Sequence, residues 1–357
     1  VDACNKRGHD NLLAGANLMR IDAYTHFFPK KFFERMLEIA GQHKDMGKRV
    51  RAVPALYDLD HRKTIVDMFP DYAQILSYPQ PPLEAIAKPG EVDELSRLIN
   101  DGLVELCAKE RDRFPGFVAQ VSLAAPDAGV REAERAVKEL GALGVQIYTN
   151  VAGKPLDLPE YEPFWAAMNE LGKPVWLHPT RGAEVPDYMS ETKSLYEIWW
   201  AFGWSYETGC AMARLVFSKT LDKYQKLKII VHHFGGIVPM LEGRIGNGWD
   251  QLGTRTTDVD YVALRKSLKK RPLDYFKQDF YADTAAFGGE PATKCGLEFF
   301  PSDKVVFASD CPFDPEKGPG YIRETLRILD SLDIPKAQRE MIDHGTLERI
   351  TGVKLVK

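Results

Sequence analysis

Four short segments, far apart in the chain, each end an apolar run in a residue that can bind a metal or move a proton. They are Ile21-Asp-Ala-Tyr-Thr-His26, Val175-Trp-Leu-His178, Ile230-Val-His-His233 and Val306-Phe-Ala-Ser-Asp310. A carboxylate at the end of a buried run is costly unless cations meet it. A lone histidine at a strand end is more often a hydrogen-bonded structural residue, but four such ends in one chain point to a shared site. Imidazole with carboxylate suits Zn²⁺, Mn²⁺ or Fe²⁺. On this reading His26, His178 and Asp310 hold one divalent metal, zinc or manganese, with iron also admissible. A coordination position stays open for water or substrate. His233 is then an acid or base, or a ligand to a second metal. His232 is its neighbour, and strand alternation sends adjacent side chains to opposite faces. Only one of the two should face the site, and His233 is the expected one. His9, His43, His61 and His344 lie outside the pattern and read as surface or structural residues.

Scattered strand ends meet at one point when parallel strands close into a barrel, which carries its chemistry at the C-terminal mouth. Eight apolar strand candidates are present, at 19–24, 72–78, 116–122, 144–149, 174–178, 228–233, 279–284 and 304–309. Helical patterns separate most of them. In 92–112, Leu95, Leu98, Ile99, Leu103 and Leu106 recur at helical spacing, and 130–141, 160–171, 320–332 and 335–350 read likewise. Such alternation predicts a parallel sheet, and eight strands predict a (β/α)₈ TIM barrel spanning 19–357 as one domain. Insertions at 27–70, 179–226 and 237–278 each follow a strand, so they should lie over the mouth. Residues 1–18 are polar and without periodicity and read as a disordered extension or a cloning remnant.

With 357 residues, 44% of them hydrophobic, the chain can bury a large core. A formal net charge of −4 gives no broad basic field, which argues against nucleic acid. No run reaches the length of a transmembrane helix, and no secretory signal is visible. The five cysteines, Cys4, Cys107, Cys210, Cys295 and Cys311, are odd in number and lack a C-x-x-C pair. A reducing, cytoplasmic location is expected.

Taken together, Ile21-Asp-x-Tyr24-x-His26-Phe-Phe-Pro29, Trp-Leu-His178-Pro-Thr, Trp204-Ser-Tyr-Glu207-Thr, His232-His233-Phe-Gly235-Gly236 with Pro239 and Gly243-Arg-Ile245, and Ser309-Asp310-x-Pro312-Phe313 resemble the amidohydrolase superfamily. Within it they resemble the group that contains aminocarboxymuconate semialdehyde decarboxylase and γ-resorcylate decarboxylase. The resemblance covers about residues 19 to 352. It implies a metal-dependent, non-oxidative decarboxylase of an aromatic or unsaturated (hydroxy)carboxylic acid, working as a homodimer or homotetramer. Hydrolysis or hydration of a related acid, metal-dependent oxygenation, and a non-catalytic subunit are the alternatives. In that family the first strand carries His-x-His or Glu-x-His; here Tyr24 stands first. Tyr24 is either a phenolate ligand, a hydrogen-bond donor to a substrate carboxylate, or the mark of a degenerate site.

The mechanism that the resemblance implies needs a proton delivered to the ring carbon, from Asp310 or His233. It also needs a cation on the substrate carboxylate. Arg51 is the expected clamp, chosen from Arg49, Arg51 and Arg62 in the first insertion, with Arg181 as second candidate. Phe28, Trp204 and Phe313, with Phe27 and Trp199, offer a flat apolar slot for an aromatic substrate. The Trp-rich insertion could equally pack against a partner subunit.

Overall fold

The computed structural model describes residues 19–40 and 46–356; the 1–18 extension, His43 and the last residue lie outside them. All eight expected strands form. In chain order they are β1 (Arg20–His26), β2 (Tyr72–Ser77), β3 (Gly116–Phe117, resumed as Ala119–Gln120), β4 (Val145–Tyr148), β5 (Val175–His178), β6 (Ile229–Val231), β7 (Phe280–Asp283) and β8 (Val305–Val306). Every pairing between neighbours is parallel. The ring comprises two sheets that meet at β3. Its first half pairs with β2 and its second with β4. Between β1 and the β8 segment no ladder forms, but Ala23 N donates to Phe307 O at 2.8 Å and His26 N to Cys311 O at 2.9 Å. The chain folds as a TIM barrel.

Two apolar layers hold it. Ile21, Ala23, Tyr24, Ala73, Ile75, Val118, Trp176, Ile230, Val306 and Ala308 fill the barrel interior. A larger cluster joins the outer strand faces to the helices. Helix Val92–Lys109 shows why: Leu95, Ile99, Leu103 and Leu106 form one buried stripe, as the helical period requires. The expected 335–350 helix is divided into Lys336–Glu340, a π-helical turn over Met341–Gly345, and Thr346–Thr351.

One irregularity bears on the site. Between Asp22 and Thr25, β1 advances three residues while β2 advances two, from Gln74 to Leu76. The extra residue is a β-bulge, which turns side chains out of simple alternation. Ala23 and Tyr24, although consecutive, therefore both enter the interior layer.

Candidate active site

His26 closes β1 and pairs in register with Ser77 at the end of β2. The Ser77 hydroxyl lies 3.0 Å from Thr25 O, which can only accept, so its hydrogen goes there. Its oxygen therefore accepts the Nδ1–H of His26, at 2.9 Å. His178 closes β5, and its Nδ1 lies 2.7 Å from Pro179 O. Just past β6, His232 Nδ1 meets Asp283 Oδ2 at 2.6 Å. His233 Nδ1 meets Ala285 O at 2.7 Å. In all four rings Nδ1 is committed to an acceptor, so Nε2 is the nitrogen left over.

Those nitrogens converge. Ligating atoms of His26, His178 and His232 lie within 4.8 Å of one another, as do those of His232, His233 and Asp310. Asp310 Oδ1 stands 3.0 Å from His26 Nε2 and 3.4 Å from His232 Nε2. A carboxylate facing a nitrogen without a hydrogen is repelled unless a cation lies between them. Burial pushes His178 well below 6.5, helped by its histidine neighbours, and pushes His26 down as well. Burial also lowers His233, to about 4, with His232 adding to it. Burial works against the charged form of His232 too, but Asp283 and Asp310 outweigh it and raise the ring to about 9. Burial opposes an ionised Asp310, yet the two imidazoles hold it well below the usual carboxylate range. The pocket thus calls for positive charge, supplied by a proton on His232 or by a metal. Four imidazoles and a carboxylate form a donor set that zinc or manganese accepts.

The sequence-based candidates divide. His26, His178, His233 and Asp310 come together. His232, expected to face away, joins them at 0% exposure. The alternation argument fails because β6 ends at Val231, and His233 and Phe234 take left-handed φ of 56° and 51°. Gly236 completes this turn; a Cβ there would sit 2.5 Å from Ser205 O. The Tyr24 ring lies among the histidines, 5.0 Å from that of His26 and 4.5 Å from that of His232. Its hydroxyl donates to Gln146 Oε1 at 2.7 Å, and burial, with Asp283 and Asp310 nearby, raises its pKa.

Phe28 is fully buried and packs on Phe32, Phe33 and Tyr78, so it is core and not slot. Phe313 lies 5.6 Å from the His26 ring and Trp204 5.9 Å from the His178 ring. Arg181 is held by Glu207 at 3.2 Å and Pro186 O at 3.2 Å. Its own carbonyl accepts from Trp204 Nε1 at 3.1 Å. Arg51 is exposed. From the same insertion, Arg49 instead reaches the carbonyl of Phe313. Arg62 is buried under the site, on Gln74 at 2.8 Å and His26 O at 3.2 Å. Residues that the strand-end reading missed are Ser77, Asp283, Phe287 and Tyr321. Phe287 lies 4.5 Å from His233 and 5.2 Å from Tyr321. Asp283 was legible as the end of Phe280-Tyr-Ala-Asp283, a fifth apolar run ending in an acid.

The amidohydrolase family model matches residues 21–350. A γ-resorcylate decarboxylase from Polaromonas sp. strain JS666 is 32% identical over 301 residues, covering 82% of this chain and 86% of its own. A solved 2,6-dihydroxybenzoate decarboxylase in complex with 2,6-dihydroxybenzoate superimposes with a TM-score of 0.74, at 26% identity over 94% of this chain and 99% of its own. A dihydroxybenzoic acid decarboxylase from Polaromonas sp. JS666, solved with manganese and the inhibitor 2-nitroresorcinol, gives a TM-score of 0.73 at 27% identity, over 93% and 96% of the two chains. With its barrel, its histidines at the ends of β1 and β5 and just past β6, and its aspartate beyond β8, this chain belongs to the amidohydrolase family.

Proposed function

We propose that this protein is a metal-dependent, non-oxidative decarboxylase of a hydroxylated aromatic carboxylic acid. The observation that carries the reading is the convergence of His26, His178 and His232 on one another, with Asp310 against His26 and His232 and every Nδ1 already committed. His26, His178 and Asp310 would hold one divalent cation, manganese or zinc. Bound there, it would supply Lewis acidity toward the substrate carboxylate and the neighbouring hydroxyl.

The remaining work falls to the chain. Phe313 and Trp204 flank the ring on two sides and exclude water. Arg49, anchored on the Phe313 carbonyl, brings a guanidinium to the mouth in place of Arg51. Asp310 first takes up a proton relayed from solvent through His233, and then delivers it to the ring carbon that bears the carboxylate. The bond from that carbon to the carboxylate then breaks, its electron pair returns to the ring, and carbon dioxide leaves. Asp310 ends ionised, the form that its imidazole neighbours favour, and must be reprotonated for the next turnover. His233, held near 4, is a neutral base at pH 7 and a path for that proton.

Among the described residues no helix is long and apolar enough to cross a membrane. We place the protein in the cytoplasm on its free cysteines, Cys107, Cys210, Cys295 and Cys311. Tyr188, Met189, Tyr196, Phe202 and Tyr206, all exposed on the segment after β5, give it a face for a homodimer or homotetramer. Carbon dioxide release from a panel of mono- and dihydroxybenzoates, with Mn²⁺ or Zn²⁺ supplied, tests the function. Release that depends on the metal and disappears in His178→Ala supports it. Metal-dependent hydrolysis of an ester or lactone panel, without carbon dioxide from any acid, would replace it with a hydrolase.

A further inference from the structure

Asp310 reaches the site from a backbone that resists it. Its φ is 64°, in the left-handed region where a non-glycine residue is held at a cost by its surroundings. Both of its neighbours are tied down. Ser309 N donates to Asp22 Oδ1 at 3.1 Å, and the Ser309 hydroxyl donates to Asp22 Oδ2. The same hydroxyl oxygen accepts from Cys311 N at 3.2 Å, and Cys311 O accepts from His26 N at 2.9 Å. One serine closes the turn over Asp310, and one carboxylate holds that serine.

Asp22 is locked in its turn. Tyr72 Oη donates to its Oδ2 at 2.6 Å, and Tyr24 N donates to its Oδ1 at 3.3 Å within the β1 bulge. Behind Tyr72, Gln74 Nε2 donates to Tyr72 Oη at 2.8 Å, and Arg62 Nε donates to Gln74 Oε1 at 2.8 Å. Arg62 Nη1 then donates to His26 O at 3.2 Å. The run of bonds starts beside Asp310 and ends on His26, the two residues whose side chains meet at 3.0 Å. Asp22, Gln74, Arg62 and Ser309 are all fully buried, where hydrogen bonds are strong and an unmade one is costly.

We propose that Asp22 is the positioning residue of Asp310. Through Ser309 it holds the left-handed turn that aims the Asp310 carboxylate, and through Tyr72, Gln74 and Arg62 it sets that carboxylate against His26. The assignment rests on the decarboxylase reading above, in which Asp310 delivers the proton. A misplacement of about 1 Å can cost about 100-fold in rate, so the loss of Asp22 should appear in kcat and not in KM.

The test is carbon dioxide release per bound Mn²⁺ in the full-length protein. Ser309→Ala, the milder change, should lower kcat about tenfold and Asp22→Ala about 100-fold, with KM within about twofold. Asp22→Asn should recover most of the loss, because its amide oxygen still accepts from Ser309 N and Tyr24 N. A merely structural role would lower the folded fraction and leave kcat per metal alone. Crystal structures read the same placement without turnover. Asp310 Oδ1 should move by about 1 Å from its place against His26 Nε2 in both alanine variants and stay in Asp22→Asn. Wild-type kcat per metal in both alanine variants, or Asp310 unmoved in both crystals, would overturn the assignment alone. Wild type that releases carbon dioxide from no hydroxybenzoate would overturn the decarboxylase reading, and the crystals would still decide what holds Asp310.

Discussion

Asp22 and Asp310 are buried carboxylates on the first strand and just past the last, yet they are satisfied in opposite ways. Asp22 accepts from Tyr72 Oη at 2.6 Å, Ser309 N at 3.1 Å, Tyr24 N at 3.3 Å and the Ser309 hydroxyl. All four donors are neutral, and the two from Ser309 tie β1 to the segment where the strand ladder is interrupted. Asp310 is met by two imidazole nitrogens whose rings already spend a hydrogen elsewhere. The first pattern completes a seam. The second leaves a demand for positive charge that only a proton or a metal meets. A buried acid is thus read from its donors, not from its burial.

The contrast breaks most readily at Asp310. Asp310→Asn keeps the shape but removes the charge and the transferable proton. Turnover should fall about 10³-fold or more, measured as carbon dioxide release, while the thermal midpoint of the metal-free protein holds or rises. Asn at this position with near-normal turnover would remove Asp310 from the chemistry.

Next in size is the contrast between core and slot. Phe28 is enclosed by other aromatics, and Phe28→Ala should cost about 3–5 kcal/mol of stability in denaturant unfolding, with KM unchanged in the folded fraction. Trp204 touches the site, so Trp204→Ala should raise KM and cost less stability. If Phe28→Ala raised KM at full stability, the aromatic slot would have been drawn on the wrong side of β1.

Asp22 sharpens the comparison through pH. Burial raises its pKa to about 6 against the pull of its four donors. The folded state therefore keeps this proton to higher pH than the unfolded state does, and stability falls as pH rises from about 4 to about 6. Above that window the full cost of ionisation is present, about 3 kcal/mol. Asp22→Asn cannot ionise. The unfolding free energy of wild type minus that of the variant should fall by roughly this amount between pH 4 and pH 7. A flat difference would mean that the four donors hold Asp22 ionised throughout.

Much of this was legible because it rests on periodicity and on strand ends. The eight strands, their parallel order and the meeting of His26, His178 and Asp310 all follow from apolar runs that stop at a polar residue. What the sequence hid depends on departures from regular geometry. His232 is turned inward because its strand stops two residues early, at Val231, and the chain turns left-handed at His233 and Phe234. Phe28 was misplaced because an apolar residue after a strand packs beneath the mouth as readily as over it. The arginines sit on the short helix Met46–Arg51, where a two-residue step carries a side chain halfway around the axis.

That last point gives the smallest prediction. Arg49 and Arg51 lie on one helix and carry the same charge, so long-range electrostatics hardly distinguishes them. Arg49 reaches the backbone of Phe313 and, at 3.5 Å, of Asp314, directly beyond Asp310. Arg49→Ala should raise KM for an aromatic acid about tenfold, equivalent to about 1.4 kcal/mol, because it loosens the Phe313 turn and removes a cation from the mouth. Arg51→Ala, which leaves the Arg49 contact with the Phe313 turn intact, should stay within about twofold. The reverse order would return the carboxylate clamp to Arg51 and would show that the helix turns when substrate binds.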